Sequence, residues 1–229
     1  YLAETGYAQS GTSSQASIRF STDKGQTWSH SIKVPQWQGV NEVYLFRAGN
    51  GDLLAACRTD VPRRLKGKTL DHYEGLGISI SRDDGRTWSA VKKLYDYGRH
   101  HPSLVLMPNQ DIVMTYVVRL GYVDDPNGLP QFGIEAVVSH DHGVTWDLDH
   151  RYLLHVWSGK RKGRTYWWPS SQATSSTLMP NGVILTAFGT GYRIKAGKDS
   201  PQAPRDVGLI EWRLNSKPVN GESTIRDAA

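Results

Sequence analysis

The octet Ser81-Arg-Asp-Asp-Gly-Arg-Thr-Trp88 has two close copies elsewhere in the chain, Ser21-Thr-Asp-Lys-Gly-Gln-Thr-Trp28 and Ser139-His-Asp-His-Gly-Val-Thr-Trp146. All three follow the pattern Ser-x-Asp-x-Gly-x-Thr-Trp. Their aspartates, Asp23, Asp83 and Asp141, lie 60 and 58 residues apart. Three copies at nearly equal spacing predict a structural repeat of about sixty residues.

The residue types of the octet predict a tight turn between two strands. A strand-like run precedes each copy, at 16–20, 76–80 and 134–138. An Asp carboxylate can accept N–H bonds across such a turn, Gly allows a positive φ, and Trp can pack its ring against the hairpin. We therefore expect structural roles, not catalytic or metal-binding ones, for Asp23, Gly25, Trp28, Asp83, Gly85, Trp88, Asp141, Gly143 and Trp146.

A second repeated unit lies between the octets. Two strand-like runs flank a short polar turn at 43–57, at 104–118 and again at 177–188. Each repeat therefore contains two hairpins, or four strands, in about sixty residues. Four-stranded units that recur with a Trp-bearing turn are typical of propeller blades, so we predict an all-β fold of the β-propeller type.

The octets resemble the Asp boxes, or BNR repeats, of the sialidase (neuraminidase) superfamily, whose enzymes are six-bladed propellers. The resemblance covers residues 16–214. At about sixty residues a blade, the chain fits about three and a half blades of six, and we interpret it as the C-terminal half of a longer protein that lacks the N-terminal half of its site. Residues 1–214 are expected to form the partial propeller, and 215–229 a polar tail.

Charged side chains recur at two positions of the blade, on the rim opposite the octets. The first strands of the blades begin at Glu42 and at His100 and His101. Near the ends of the second strands stand Arg58, Arg119 and Arg193. Since an Arg at the exit of an otherwise apolar strand is not explained by core packing, we predict that these residues share one concave surface and bind substrate.

The resemblance also implies roles for individual residues. In sialidases three arginines hold the substrate carboxylate, a Tyr activated by a Glu is the nucleophile, and an Asp supplies acid–base catalysis. Glu42 and Arg58, sixteen residues apart, match the Tyr-activating Glu and a carboxylate-binding Arg. Tyr166 is the first candidate nucleophile and Tyr192 the second, although neither has the family's offset. Asp125 follows His100-His101-Pro102 as the family's acid follows Arg-Ile-Pro, and we interpret it as a binding residue rather than the true acid.

Composition limits the function further. The net charge of +5 suits an acidic glycan, and no nucleic-acid motif accompanies it. No metal-ligand spacing, cofactor motif or membrane-length apolar run is present. The single cysteine, Cys57, fits a cytoplasmic protein as well as a secreted one, and we favour a secreted or periplasmic location.

Two functions remain open from the sequence. The first is a sialidase-like glycoside hydrolase that removes sialic acid or another acidic sugar from a chain end. The second is a non-catalytic Asp-box propeller that binds glycans or protein partners with the same surface. Unrelated chemistry on this scaffold is a third possibility, because a fold does not determine a function.

Overall fold

The computed structural model describes residues 1–11, 13–65, 73–119, 131–158, 173–190 and 207–214, and in these ranges the protein is all-β. Fourteen strands there form four antiparallel sheets. Sheet 1 contains β1 (Leu2–Ser10), β2 (Ser13–Ser21) and β3 (Ile32–Gln38). Sheet 2 contains β4 (Val40–Arg47), β5 (Leu53–Thr59), β6 (Gly75–Ser81) and β7 (Lys92–Tyr95). Sheet 3 contains β8 (Arg99–Leu106), β9 (Ile112–Val118), β10 (Gln131–Ser139) and β11 (Tyr152–Ser158). Sheet 4 contains β12 (Thr174–Leu178), β13 (Ile184–Gly189) and β14 (Val207–Trp212).

Strands follow one another in chain order within every sheet. Sheets 2 and 3 therefore have the two-hairpin arrangement predicted for a blade, and their octets connect the third strand to the fourth. A short 3-10 turn, Arg63–Leu65, follows β5. No helix in the described residues is long and apolar enough to cross a membrane. The total number of blades stays a prediction.

The N-terminal strand corrects one expectation. The first strand-like run recognised in the sequence is 16–20, with no strand predicted before it. Instead β1 pairs with β2 along its whole length, from Leu2 opposite Ser21 to Ser10 opposite Ser13. The sequence of β1, LAETGYAQS, mixes apolar and polar residues without regular alternation, and its side chains are largely exposed. It therefore lacks the apolar alternation by which a strand is recognised.

The central strands are buried on both faces, and this stacks the sheets in chain order. Leu53, Ala55 and Cys57 of β5 pack with residues of sheet 1. The alternate residues Leu54 and Ala56 pack with residues of sheet 3. Strand β9 divides its side chains in the same way between sheets 2 and 4. Full burial of one such Leu contributes about 2 kcal/mol, so each sheet is stabilised by its neighbours.

The octets form the turn that their residue types predict. In the second copy, Thr87 donates to Asp83 twice, from its backbone N to Oδ1 at 2.8 Å and from Oγ1 to Oδ2 at 2.6 Å. Ser81 Oγ donates to Asp83 Oδ1 and accepts from the backbone N of Gly85, both at 2.8 Å. The indole Nε1 of Trp88 donates to the carbonyl of Gly85 at 3.0 Å. Equivalent bonds recur in the other two octets.

These bonds also set the charge of the turn. The hydrogen bonds from Thr87 and Ser81 favour the ionised carboxylate and lower the pKa of Asp83 to about 2. In the first copy Thr27 and Ser21 lower the pKa of Asp23 equally far. Each aspartate is thus engaged within its own turn.

All three octet turns lie on one rim. The second and third octets each pack on the preceding sheet, close to that sheet's own octet end. A methyl group built on Gly85 would lie 3.2 Å from Phe20 of sheet 1, and one on Gly143 would lie 2.5 Å from Leu54 of sheet 2. Phe20 directly precedes the first octet, and Leu54 pairs with Ile80, which precedes the second. The single rim predicted for the octets is confirmed.

A comparison of two glycines with similar φ distinguishes the cost of backbone strain from the cost of lost packing in this turn. Gly143 and Gly182 have φ of +90° and +78°, and a Cβ on Gly182 would meet nothing within 4 Å. We expect Gly182→Ala to lose about 1 kcal/mol of unfolding free energy through left-handed strain alone. Gly143→Ala should lose about 2–4 kcal/mol, because its Cβ also collides with Leu54. Urea unfolding of both variants measures the difference, and equal losses would show that the octet does not pack on the neighbouring sheet.

Candidate functional site

The rim opposite the octets carries two strained residues at equivalent positions of sheets 2 and 3. Glu42, near the start of β4, has φ of 34°, and His101, near the start of β8, has φ of 55°. The pairing register of β4 on β5 shifts at Glu42, and that of β8 on β9 shifts at His101. Both residues therefore sit in β-bulges, which re-aim side chains and are common beside functional sites.

Arg58, at the end of β5, is held between two carboxylates. Its Nη1 donates to Glu42 Oε2 at 2.8 Å, which forms an ion pair between the first two strands of sheet 2. Its Nε and Nη2 both contact Oε2 of Glu74, which directly precedes β6. The side chains of Arg58 and Glu74 are each 13% exposed, whereas that of Glu42 is 36% exposed. The guanidinium is thus fixed on both sides, with Glu42 as its more open partner.

His101 joins this group from the next sheet. Its Nδ1 lies 3.0 Å from Glu42 Oε2. Arg58, Glu42 and His101 therefore form a continuous chain of contacts across sheets 2 and 3. The sequence predicts that these residues share a surface, and the structure brings all three together; their roles toward a substrate stay predictions.

The surroundings favour the charged form of Glu42 and the neutral form of His101. Burial opposes ionisation of Glu42, but the His101 hydrogen bond and the charges of His101 and Arg58 outweigh it and lower the pKa of Glu42 to about 2. Burial lowers the pKa of His101 below its ordinary value, and the Arg119 and Arg58 charges add to this against the opposing effect of Glu42. In the acid range where Glu42 titrates, His101 is protonated and its charge adds to the hydrogen bond; at pH 7, above its own lowered pKa, the neutral ring holds Glu42 through the hydrogen bond.

His100 and Arg119 lie beneath the surface in this structure. His100 is fully buried, and its ring packs edge-on against that of His101 with centroids 4.4 Å apart. Arg119 is 2% exposed, and its backbone N donates to the Gly98 carbonyl at 2.8 Å. Both residues were predicted to lie on the concave, substrate-binding surface. The structure assigns them positions behind His101, from which Arg119 acts on it through charge.

The sequence did not predict a buried ionic cluster of sheet 3. Arg99 Nε donates to Glu135 Oε2 at 3.0 Å, and both residues are buried. The guanidinium of Arg99 lies over the ring of Tyr95, whose hydroxyl is 2.8 Å from that of Tyr116. Glu135 interrupts the apolar run of β10, and a charged residue there is a signal for a buried ion pair. This cluster packs sheet 3 against sheet 2.

Four other candidates lie outside the described residues: Tyr166, Asp125, Arg193 and Tyr192. Their roles stay predictions. Within the part of the chain that the structure describes, no group of three His, Cys, Asp or Glu side chains could hold a metal ion.

Comparison with solved structures supports the fold. The Hadza microbial sialidase superposes with a TM-score of 0.53 at 18% identity, over 87% of this chain and 40% of its own. An α-L-arabinanase from Penicillium chrysogenum has a TM-score of 0.52 at 14% identity, over 86% of this chain and 57% of its own. An ulvan lyase has a TM-score of 0.55 at 12% identity, over 89% of this chain and 48% of its own.

These similarities show that the chain has a β-propeller fold, which it shares with glycan-acting hydrolases and lyases. The chain spans about half the length of the solved structures that it matches. No family model matches the sequence, and no curated relative is found.

The low pKa of Glu42 predicts an acid-dependent contribution to stability. A carboxyl with a folded pKa of about 2, against 4.5 ordinarily, stabilises the fold above pH 4.5 and loses this effect as the pH falls toward 2. We expect Glu42→Gln to cost about 1 kcal/mol at neutral pH, since solvent screening of a partly exposed carboxylate reduces the full effect. The cost should shrink at about pH 3, near the midpoint of this window. Urea unfolding of wild type and variant at both pH values measures it, and a pH-independent difference would contradict the assignment.

Proposed function

We propose that the protein is a sialidase-like glycoside hydrolase whose substrate carries an acidic sugar, bound at the rim that holds Glu42, Arg58 and His101. The observation that carries the proposal is the arginine fixed at a strand end between two carboxylates. A guanidinium whose plane is fixed by its ion pairs has the geometry that matches the planar carboxylate of an acidic sugar. The shared fold with glycan-acting enzymes is consistent with this function.

The charges around Arg58 suggest how it would recognise a ligand. The negative charges of Glu42 and Glu74 offset the positive charges of Arg58 and Arg119. These four groups therefore carry little net charge together while His101 is neutral. Recognition would then depend on the direction of the N–H donors more than on long-range attraction. Since rigid groups lose little entropy on binding, such a site favours a ligand of matching shape.

A non-catalytic glycan-binding propeller is the second candidate, and one observation favours it. Among the described residues, the carboxylate of Glu42 contacts Arg58 and His101 and no tyrosine. A carboxylate with a pKa of about 2 is also a weak base toward a tyrosine hydroxyl. The role of Tyr activation that the family resemblance implies for Glu42 is therefore its least supported role.

Hydrolysis and binding assays on the protein separate these functions. We expect release of methylumbelliferone from its glycoside of N-acetylneuraminic acid or of glucuronic acid. Arg58→Ala should lower kcat/KM on the order of a hundredfold, because a charged, hydrogen-bonded ligand loses its fixed donors. The matched control is Arg47→Ala, which removes an arginine that pairs with Asp84 on the octet rim.

Three results are informative. Loss of activity in Arg58→Ala with normal activity in Arg47→Ala supports the hydrolase. Binding of an acidic glycan that needs Arg58, without turnover, supports the non-catalytic propeller. Equal behaviour of the two variants with every acidic glycan would contradict both functions at this rim.

A further inference from the structure

The contact between His101 and Glu42 has the geometry of an oriented proton acceptor. A carboxylate only accepts hydrogen bonds, so the Nδ1 atom of His101, 3.0 Å from Glu42 Oε2, must carry the proton. In the neutral ring the lone pair then lies on Nε2. The family resemblance assigns no such role to His101, and it gives Glu42 a different one.

The surroundings of the ring leave this atom accessible. Nε2 of His101 has no hydrogen-bond partner among the described residues, and it is not one of the buried unpaired atoms. The side chain as a whole is 18% exposed. The buried ring of His100 packs against the imidazole of His101 in a T-shaped contact, with centroids 4.4 Å apart. His101 is thus held by a carboxylate at Nδ1 and by the neighbouring imidazole ring, and its Nε2 is unpaired among the described residues.

The strained backbone gives a second, independent reason to assign a function. Glu42 and His101 both have positive φ, which costs a non-glycine residue about 1 kcal/mol or more. Their two bulges bring the side chains into contact across two sheets. Strain of this kind persists where the surrounding structure holds a functional geometry.

We propose that His101 is the catalytic base of this site and that Glu42 is its positioning residue. The inference rests on the proposed hydrolase function. Nε2 takes a proton from a water molecule whose oxygen forms a bond to the anomeric carbon of the sugar. The bond from that carbon to the leaving oxygen breaks, and the leaving group departs with this electron pair. An aryl leaving group departs as its phenolate, and imidazolium then returns the proton to solvent.

The electrostatics agree with this assignment. The groups facing His101 are Glu42 and Arg58 of sheet 2, with His100 and Arg119 of its own sheet. Together with burial, the arginines keep the ring neutral and able to accept a proton near neutral pH. Glu42 raises the pKa of His101 against these effects. Removing Glu42 should therefore lower the pKa of His101 further.

The test measures kcat and KM of wild type, His101→Ala and Glu42→Gln with the same methylumbelliferyl glycosides over a range of pH. We expect His101→Ala to lower kcat on the order of a hundredfold or more with little change in KM, and added imidazole to restore part of it. In wild type kcat/KM should rise with pH through the titration of His101. In Glu42→Gln this limb should move to lower pH while kcat falls. The matched control is His140→Ala, since His140 pairs with Asp111 at 2.9 Å on the octet rim, and its activity should be unchanged.

The outcomes distinguish failure of the His101 assignment from failure of the proposed hydrolase function. Hydrolysis that does not depend on His101, or a limb that follows a carboxylate and disappears in Glu42→Gln, would overturn the inference and leave the hydrolase intact. Cleavage of a polymeric uronate to an unsaturated, ultraviolet-absorbing product that needs His101 would keep the base and overturn the hydrolase. Glycan binding with no turnover of any substrate would overturn both and support the binding propeller.

Discussion

Burial of the central strands on both faces is the constraint on which the rest of the structure depends. In β5, Leu54 and Ala56 face one neighbouring sheet while Ala55 and Cys57 face the other. A one-residue slip in such a strand would exchange its two sets of side chains between two different neighbours. Register is therefore fixed. The charged residues Glu42, Arg58 and Glu74 lie at or beside strand ends, whereas Glu135, inside β10, is buried against Arg99. The two rims follow from this, one with the octet turns and the other with the Arg58 group.

The repeat could be recognised from sequence because a single turn explains each residue type that the three octets share. The bonds to Asp83 and the indole bond of Trp88 are local, so spacing alone implies them. Contacts between different sheets could not be predicted from the octet. The ring of Trp88 lies 4.7 Å from that of Trp37 in the preceding sheet, and nothing in the octet specifies that neighbour. Strand β1 pairs with β2 through its backbone along its whole length, while its side chains are largely exposed, so its sequence shows no alternation of apolar and polar residues.

In the candidate site, too, contacts within one hairpin could be predicted from sequence, whereas contacts with other elements could not. Glu42 and Arg58 belong to one hairpin, so counting residues through a short turn is enough to bring them together. The contacts of Glu74 and His101 depend on which loop or sheet lies beside that hairpin, which counting does not give. Nor could the sequence decide which of two adjacent histidines faces outward. The bulge decides it, since it directs His101 toward Glu42 while the ring of its neighbour is buried.

Because Glu42 and His101 occupy bulges, they stand outside the regular ladder of backbone pairs. The strands resume their alternation directly after each bulge, so the apolar residues downstream keep their facing whatever side chain the bulge carries. Chemistry and folding are in this way encoded by separate residues of the same strand. Substitutions at these two positions would change the chemistry of the rim while leaving the interior unchanged. Such modularity gives a physical reason why propellers with one core can diverge among substrates.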